Sequence, residues 1–344
     1  MHRGFWEQLP RPFFVLAPMA DVTDAAFRRV IAKYGKPDAM WTEFVSADGL
    51  ALAPEEGRKK LLADLAFTEA ERPIVAQFFS GTPENMEKAA ALAVELGFDG
   101  IDLNMGCPDR SIEHQHAGAA AIKEPARAKE VIAAAVRGAG GVIPVSVKTR
   151  LGYNRDELDE WLPYLLETDV AAVTIHARTR KEMSKVPAHW ERIQDAVEIR
   201  NHENPEVLIV GNGDVESVVH GRALAAETGA DGAMLGRAIF GNPWLFSAEH
   251  TAPKTTEEDG GRWFERLDSG APLAERLNAL VEHTRLFEEL LPHKSFAIMK
   301  KHYKAYIKGF PGAAELRAEL MEAPDATEVG VIVHSFLAKD STMV

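Results

Sequence analysis

The residue types able to do chemistry in this chain recur at the ends of short apolar runs. Ala17-Pro18-Met19-Ala20 closes the first, Gln77 lies in another, and Asn104-Met105-Gly106-Cys107-Pro108 closes the next. Lys148-Thr149-Arg150, His176-Ala177-Arg178, Gly211-Asn212-Gly213-Asp214 and Gly236-Arg237 close four more. Glycine lets backbone N–H groups come close to anionic oxygens, so the Gly213 and Gly236 turns suit a phosphate, with Arg237 adding a charge-assisted fork. The plainer reading is a pair of tight turns. Lys148 and Gln77 could meet the polar edge of a flat heterocycle, and a cation near N1–C2 of a flavin stabilises its reduced anion. Lys148 has two other readings: a barrel lysine paired with a carboxylate, or a Schiff-base nucleophile. Cys107 is the chain's one cysteine, so no intrachain disulfide forms. A lone cysteine is usually a small buried hydrophobe.

The elements that would position these residues follow from the pattern. Eight apolar, β-rich runs cover 13–17, 40–45, 74–79, 100–105, 144–148, 172–176, 207–210 and 232–235. Helical segments such as 83–96, 126–136 and 214–228 lie between them. Strands alternating with helices predict a parallel sheet, and eight units over roughly 240 residues predict a TIM (β/α)8 barrel. Barrel active sites lie at the C-terminal strand ends, and phosphates commonly bind after strands seven and eight. A doubly wound open sheet is the alternative, ranked lower because no Gly-rich dinucleotide turn follows the first run. The barrel domain is assigned to 1–246, a polar linker to 247–270 and a small all-α helical bundle to 271–344.

The chain has 344 residues and a net charge of −13, which by itself argues against binding nucleic acid. The balance is local, however: 294–310 carries five lysines and no acidic residue. In 295–308, Phe296, Met299, Tyr303 and Tyr306 form an apolar stripe at helical spacing, with Lys300, Lys304 and Lys308 on a neighbouring face and Ser295 as the expected N-cap. That lysine face is either plain solvated surface or a phosphate-contacting patch. No run of about 18 apolar residues predicts a membrane span. His114 and His116 lack a supporting ligand cluster, so no metal is expected. A cytoplasmic monomer is expected.

The order of these motifs resembles the tRNA-dihydrouridine synthase family. The resemblance is carried by 17–24 (APMADVTD), 104–108 (NMGCP) with 117–120 (AGAA), 147–150 (VKTR), 176–180 (HARTR), 212–214 (NGD), 236–237 (GR) with 241–244 (GNPW), and 308–313 (KGFPGA). It implies an FMN-binding barrel with a C-terminal helical tRNA-binding domain and NADPH as reductant. Pro18, Met19 and Ala20 would line the flavin; Gln77, Lys148 and His176 would contact its ring; Asn212, Gly213, Asp214, Gly236 and Arg237 would surround its phosphate. Hydride from reduced FMN would reach C6 of uracil, and Cys107 would give the proton to C5. Asn104 and Arg178 become candidate uracil contacts. Ser111 stands where the family usually has lysine, with Arg110 beside it as a substitute charge, and 181–190 (KEMSKVPAHW) departs from the family's usual aromatic-glycine pattern. The rivals are a barrel flavoenzyme acting on a free heterocycle, of the dihydroorotate dehydrogenase kind, and a non-catalytic tRNA-binding protein.

Overall fold

Strands buried on both faces leave little room for alternating polarity, which is why the strand runs here read as nearly continuous apolar stretches. The computed structural model describes residues 2–247 and 271–340; the linker expected at 247–270 lies, from 248 on, outside the described residues. Among the described residues, eight strands form: β1 (Phe13–Leu16), β2 (Met40–Ser46), β3 (Ile74–Phe79), β4 (Gly100–Met105), β5 (Val145–Arg150), β6 (Ala172–His176), β7 (Leu208–Asn212) and β8 (Gly232–Leu235). They lie in the order β1-β8-β7-β6-β5-β4-β3-β2, and the ladder pairs are parallel. A parallel bridge between Val15 and Ala39 closes the ring, supported by the Leu16 N–H donating to the Ala39 carbonyl at 3.2 Å. The predicted TIM-type barrel is the fold.

The helices along the barrel are α1 (Ala25–Tyr34), α2 (Ala47–Leu52), α3 (Glu55–Asp64), α4 (Pro83–Glu95), α5 (Arg110–Glu113), α6 (Pro125–Ala139), α7 (Leu158–Leu166), α8 (Glu191–Glu203) and α9 (Val218–Thr228). Then come α10 (Leu273–Leu290), α11 (Met299–Tyr306), α12 (Ala313–Glu322) and α13 (Ala326–Asp340). Inside the barrel, Trp6, Val15, Trp41, Val75, Val210 and Met234 form an apolar plug. Side chains alternate along a strand, so the residues two further on in β3 and β7, Gln77 and Asn212, share the inward face. The interior therefore changes from apolar to polar toward the C-terminal strand ends.

Three local expectations shift. β5 continues to Arg150 and β7 to Asn212, because their inward polar residues still pair in the ladder. The helix expected from residue 214 starts at Val218: the Ser217 hydroxyl accepts from the His220 N–H at 3.0 Å, and Asp214 takes a left-handed φ of 52°. The α11 segment opens with a 3-10 turn, Phe296–Ile298, and Ser295 makes no side-chain cap bond. The stripe itself packs as predicted: Met299, Tyr303 and Tyr306 are buried and Phe296 is half-buried. Lys304 is exposed, and Lys300 and Lys308 are half-buried. Gly309 and Gly312, at φ 77° and 79°, make the break before α12.

The helical region sits against α1. Lys33 Nζ and Tyr34 Oη donate to Glu282 at 2.8 and 2.9 Å, and the Phe27 ring stacks on His283 at 4.6 Å. Just before α11, Lys294 Nζ donates to Glu43 Oε2 at 2.6 Å and lies 3.2 Å from Asp64 Oδ1. The other Glu43 oxygen accepts from the Asp21 N–H at 2.5 Å, holding a residue whose φ is 53°. Among the described residues, no helix is long and apolar enough to cross a membrane.

Candidate active site

The polar ends of the strands and the loops beyond them enclose a cavity of about 610 Å³, well inside the usual range of roughly 300–1,000 Å³ for small-molecule sites. Pro18 and Met19 form the wall after β1; Gln77, Asn104 and Cys107 come from β3 and β4. Lys148, His176 and Arg178 come from β5 and β6, and Asn212, Gly213, Asp214, Gly236 and Arg237 from β7 and β8. Ala20 is not part of this lining. The turn in which Met19 O accepts from the Val22 and Thr23 N–H groups leaves Ala20 exposed, and Ala17 lines the cavity instead. Arg110 is exposed and outside the lining, because the Asp109 side chain caps the Ser111 N–H at 2.8 Å and turns α5 toward solvent. Lys300, Lys304 and Lys308 lie away from this cavity, in the helical region.

One end gathers glycine turns and two arginines. A Cβ at Gly211 would stand 2.3 Å from the Trp190 ring, and the Trp190 Nε1–H donates to Gly213 O at 2.8 Å. Trp190 thus seats against one glycine and holds the next. Gly213 has φ 125°, and a Cβ there would lie 2.9 Å from that of Ala188, so an ordinary side chain would strain the turn. Asp214 accepts from Arg237 Nη2 at 2.5 Å, from Arg178 Nη2, and from the Ala188 N–H at 2.9 Å. Burial pushes the Asp214 carboxyl up, but Arg178, that N–H and Arg237 outweigh it and hold the group below its usual range. Two guanidiniums around one carboxylate leave the cluster with a net positive charge.

Beside this turn, and in hydrogen-bond contact with it, stand titratable groups. Burial, then the nearby Arg150, pushes Lys148 down to about 8, so it remains mostly cationic at neutral pH. Lys148 Nζ donates to Asn212 Oδ1 at 3.1 Å. Burial, followed by Arg150, drives His176 far below its usual value. It is neutral, and its Nε2, 3.0 Å from Arg178 Nη1, must accept. Burial raises the Cys107 thiol, which keeps it protonated. A protonated thiol can act as an acid at neutral pH, whereas a thiolate cannot.

Asp102 and Glu43 escape the sequence reading, and Arg150, named there only as part of a strand end, is given no role. Asp102 is fully buried beneath the cavity, between Gln77 and Ser146. Its signal was a carboxylate two residues before Asn104 on the same strand face. Arg150 donates to the carbonyls of Gly106 at 2.6 Å, Thr179 at 3.2 Å and Met183 at 3.1 Å, tying the Cys107 loop to the loop after β6. Glu43 is paired with Lys294, 251 residues away, which no local pattern announces.

The profile described as "Dihydrouridine synthase (Dus)" matches residues 15–340. The chain belongs to the dihydrouridine synthase family. As a member of that family it is an oxidoreductase, and the match runs through both the barrel and the helical region. A Bacillus subtilis (strain 168) family member, "Probable tRNA-dihydrouridine synthase 2", is 42% identical over 340 residues, covering 98% of each chain. A Staphylococcus aureus (strain COL) protein, "Probable tRNA-dihydrouridine synthase", is 39% identical over 345 residues, covering 98% of this chain and 97% of its own. Among solved structures, histamine dehydrogenase from Rhizobium sp. 4-9 superposes with a TM-score of 0.50 at 13% identity. It covers 67% of this chain, which in turn spans 44% of that one, and the likeness is one of fold alone.

Proposed function

We propose that this protein reduces uridine to 5,6-dihydrouridine in tRNA, with FMN as cofactor and NADPH as reductant. The observation that carries the reading is that one cavity, in a chain of this family, joins a net-positive glycine turn to a wall bearing Lys148, His176 and the Cys107 thiol. The donor set fits FMN. Gly213 and Gly236 offer close backbone approach for the phosphate, with Arg237 beside them; Pro18 and Met19 supply an apolar wall; Lys148 supplies the cation for the pyrimidine edge of the ring. When bound and reduced, FMN supplies the hydride that C6 of uracil receives.

The protein's own groups supply the rest. Cys107, held protonated by burial, gives its proton to C5 of the base. Asn104 and Arg178 face the same space as uracil contacts. A base paired or stacked in tRNA must leave its stack to enter such a cavity. Lys300, Lys304 and Lys308, with Arg110 near the mouth, contact phosphates and contribute affinity without reading sequence. NADPH and tRNA use the mouth in turn. The helical region, 271–344, acts as the tRNA-binding domain beside the barrel domain, 1–246.

The test has two parts. Purified protein should be yellow or take up FMN to become so, and tRNA from cells lacking the gene should lose dihydrouridine at one or more positions. A protein that cannot be charged with FMN, or a deletion strain with an unchanged dihydrouridine map, would overturn the proposal.

A further inference from the structure

From the cavity lining at Gln77, a buried row continues through Asp102 to Ser146 on β3, β4 and β5, paired in register across the barrel wall. Asp102 and Gln77 are fully buried, and Ser146 nearly so. Gln77 Nε2 donates to Asp102 Oδ2 at 2.5 Å, and Ser146 Oγ donates to Asp102 Oδ1 at 2.6 Å. Gln77 Oε1 in turn accepts from Asn104 Nδ2 at 3.1 Å. Asn104 Oδ1 then accepts from the backbone N–H groups of Gly106, at 3.2 Å, and Cys107, at 2.9 Å.

The polarity of this chain is set at both ends, by the Asp102 carboxylate and by the loop N–H groups. An ionised carboxylate only accepts, so Gln77 must turn its NH₂ toward Asp102 and its oxygen toward Asn104. Asn104 must then present its NH₂ to Gln77 and its oxygen to the loop. Flipping either amide would set oxygen against oxygen or NH₂ against NH₂ in a buried place, where unmet polar groups are costly. From this we infer that Asp102 is a positioning residue for Cys107: its Oδ2 fixes the amide of Gln77, and Gln77 in turn anchors Asn104 and the loop that presents the thiol. Asp102 itself touches neither thiol nor substrate. Its carboxyl, pushed by burial up to about 6, is still mostly ionised at neutral pH, as the arrangement requires.

The reactivity of the thiol can be read apart from the proposed reaction. Cys107 is the sole cysteine, and alkylation by iodoacetamide reports one thiol in the full-length protein. Asp102→Leu removes both acceptors and is expected to speed alkylation about tenfold, the scale of one lost buried hydrogen bond. Asp102→Asn can keep its oxygen on Gln77 and turn its NH₂ to the Ser146 hydroxyl, which also accepts. It should stay within about twofold of the parent rate, since no hydrogen bond in the chain need be lost. Gln77→Met cuts the relay one step later without touching the buried charge and should match Asp102→Leu, which covers the case of a leucine variant that does not fold. A parent-like rate in Asp102→Leu or Gln77→Met would overturn the inference. So would an Asp102→Asn rate as fast as that of Asp102→Leu, because charge rather than acceptor pattern would then hold the loop.

Discussion

Arg237→Ala would remove a cation from the glycine-lined end of the cavity and leave the ring-facing wall as it is. The Arg237 side chain is 37% exposed and donates to Asp214 at 2.5 Å. A charge-assisted hydrogen bond contributes about 1.5–3 kcal/mol when well shielded. Partial exposure to water brings that toward the lower end, about 1.5–2 kcal/mol, which is roughly a 10- to 30-fold loss of FMN affinity. The substitution also takes the Arg178–Asp214–Arg237 cluster from net positive to neutral, so the loss should shrink at high salt. Titrating the apoprotein with FMN and with riboflavin, followed by flavin fluorescence, separates phosphate from ring. Riboflavin lacks the phosphate, so its affinity should be unchanged by the substitution. An equal loss for both ligands, or no loss for FMN, would refute the assignment of this end to the phosphate.

Cys107→Ala should leave reduction of the bound flavin by NADPH intact while dihydrouridine formation falls by roughly 10²–10⁴, the scale of general acid catalysis; single-turnover assays of the two half-reactions read this directly. Neutralising Lys300, Lys304 and Lys308 together should weaken tRNA binding and flatten its dependence on salt, and an unchanged slope would return those lysines to plain solvated surface. Stability should fall in acid through His283 and His302, both fully buried, with burial holding His302 down to about 3 and His283 far below its usual value. The unfolded chain binds protons below about pH 6.5 while these folded imidazoles do not, so each removes about 1.4 kcal/mol per pH unit as pH drops through that window. Urea melts at pH 7 and pH 5 should show a smaller acid loss in His302→Leu than in the parent.

The barrel was legible because strands buried on both faces must be apolar, and β3, β4, β6 and β8 match their expected limits residue for residue. Strand ends were less so. In β5 and β7 the last inward residues are polar, and polarity at a strand tip looks like loop until the partner strands are known. Cavity residues such as Lys148, His176 and Gly213 stood out by type at strand ends, and their gathering follows from topology alone. Asp102 did not stand out, since its meaning depends on Gln77 and Ser146 from two other strands. The helical stripe Met299–Tyr303–Tyr306 was plain from spacing, whereas the capping role of Ser295 failed because a 3-10 turn precedes the α-helix.

The Glu43 carboxylate joins two partners that have no covalent reason to move together: the turn around Asp21, just beyond the wall of Pro18 and Met19, and Lys294 at the entry to α11. Free-energy coupling of this kind runs both ways. Whatever steadies the turn should also steady the seating of the C-terminal helices, and loosening those helices should weaken cofactor retention. Loading with FMN should accordingly slow protease cleavage outside the cavity, in the segment around Lys294, and Lys294→Met should erase that protection.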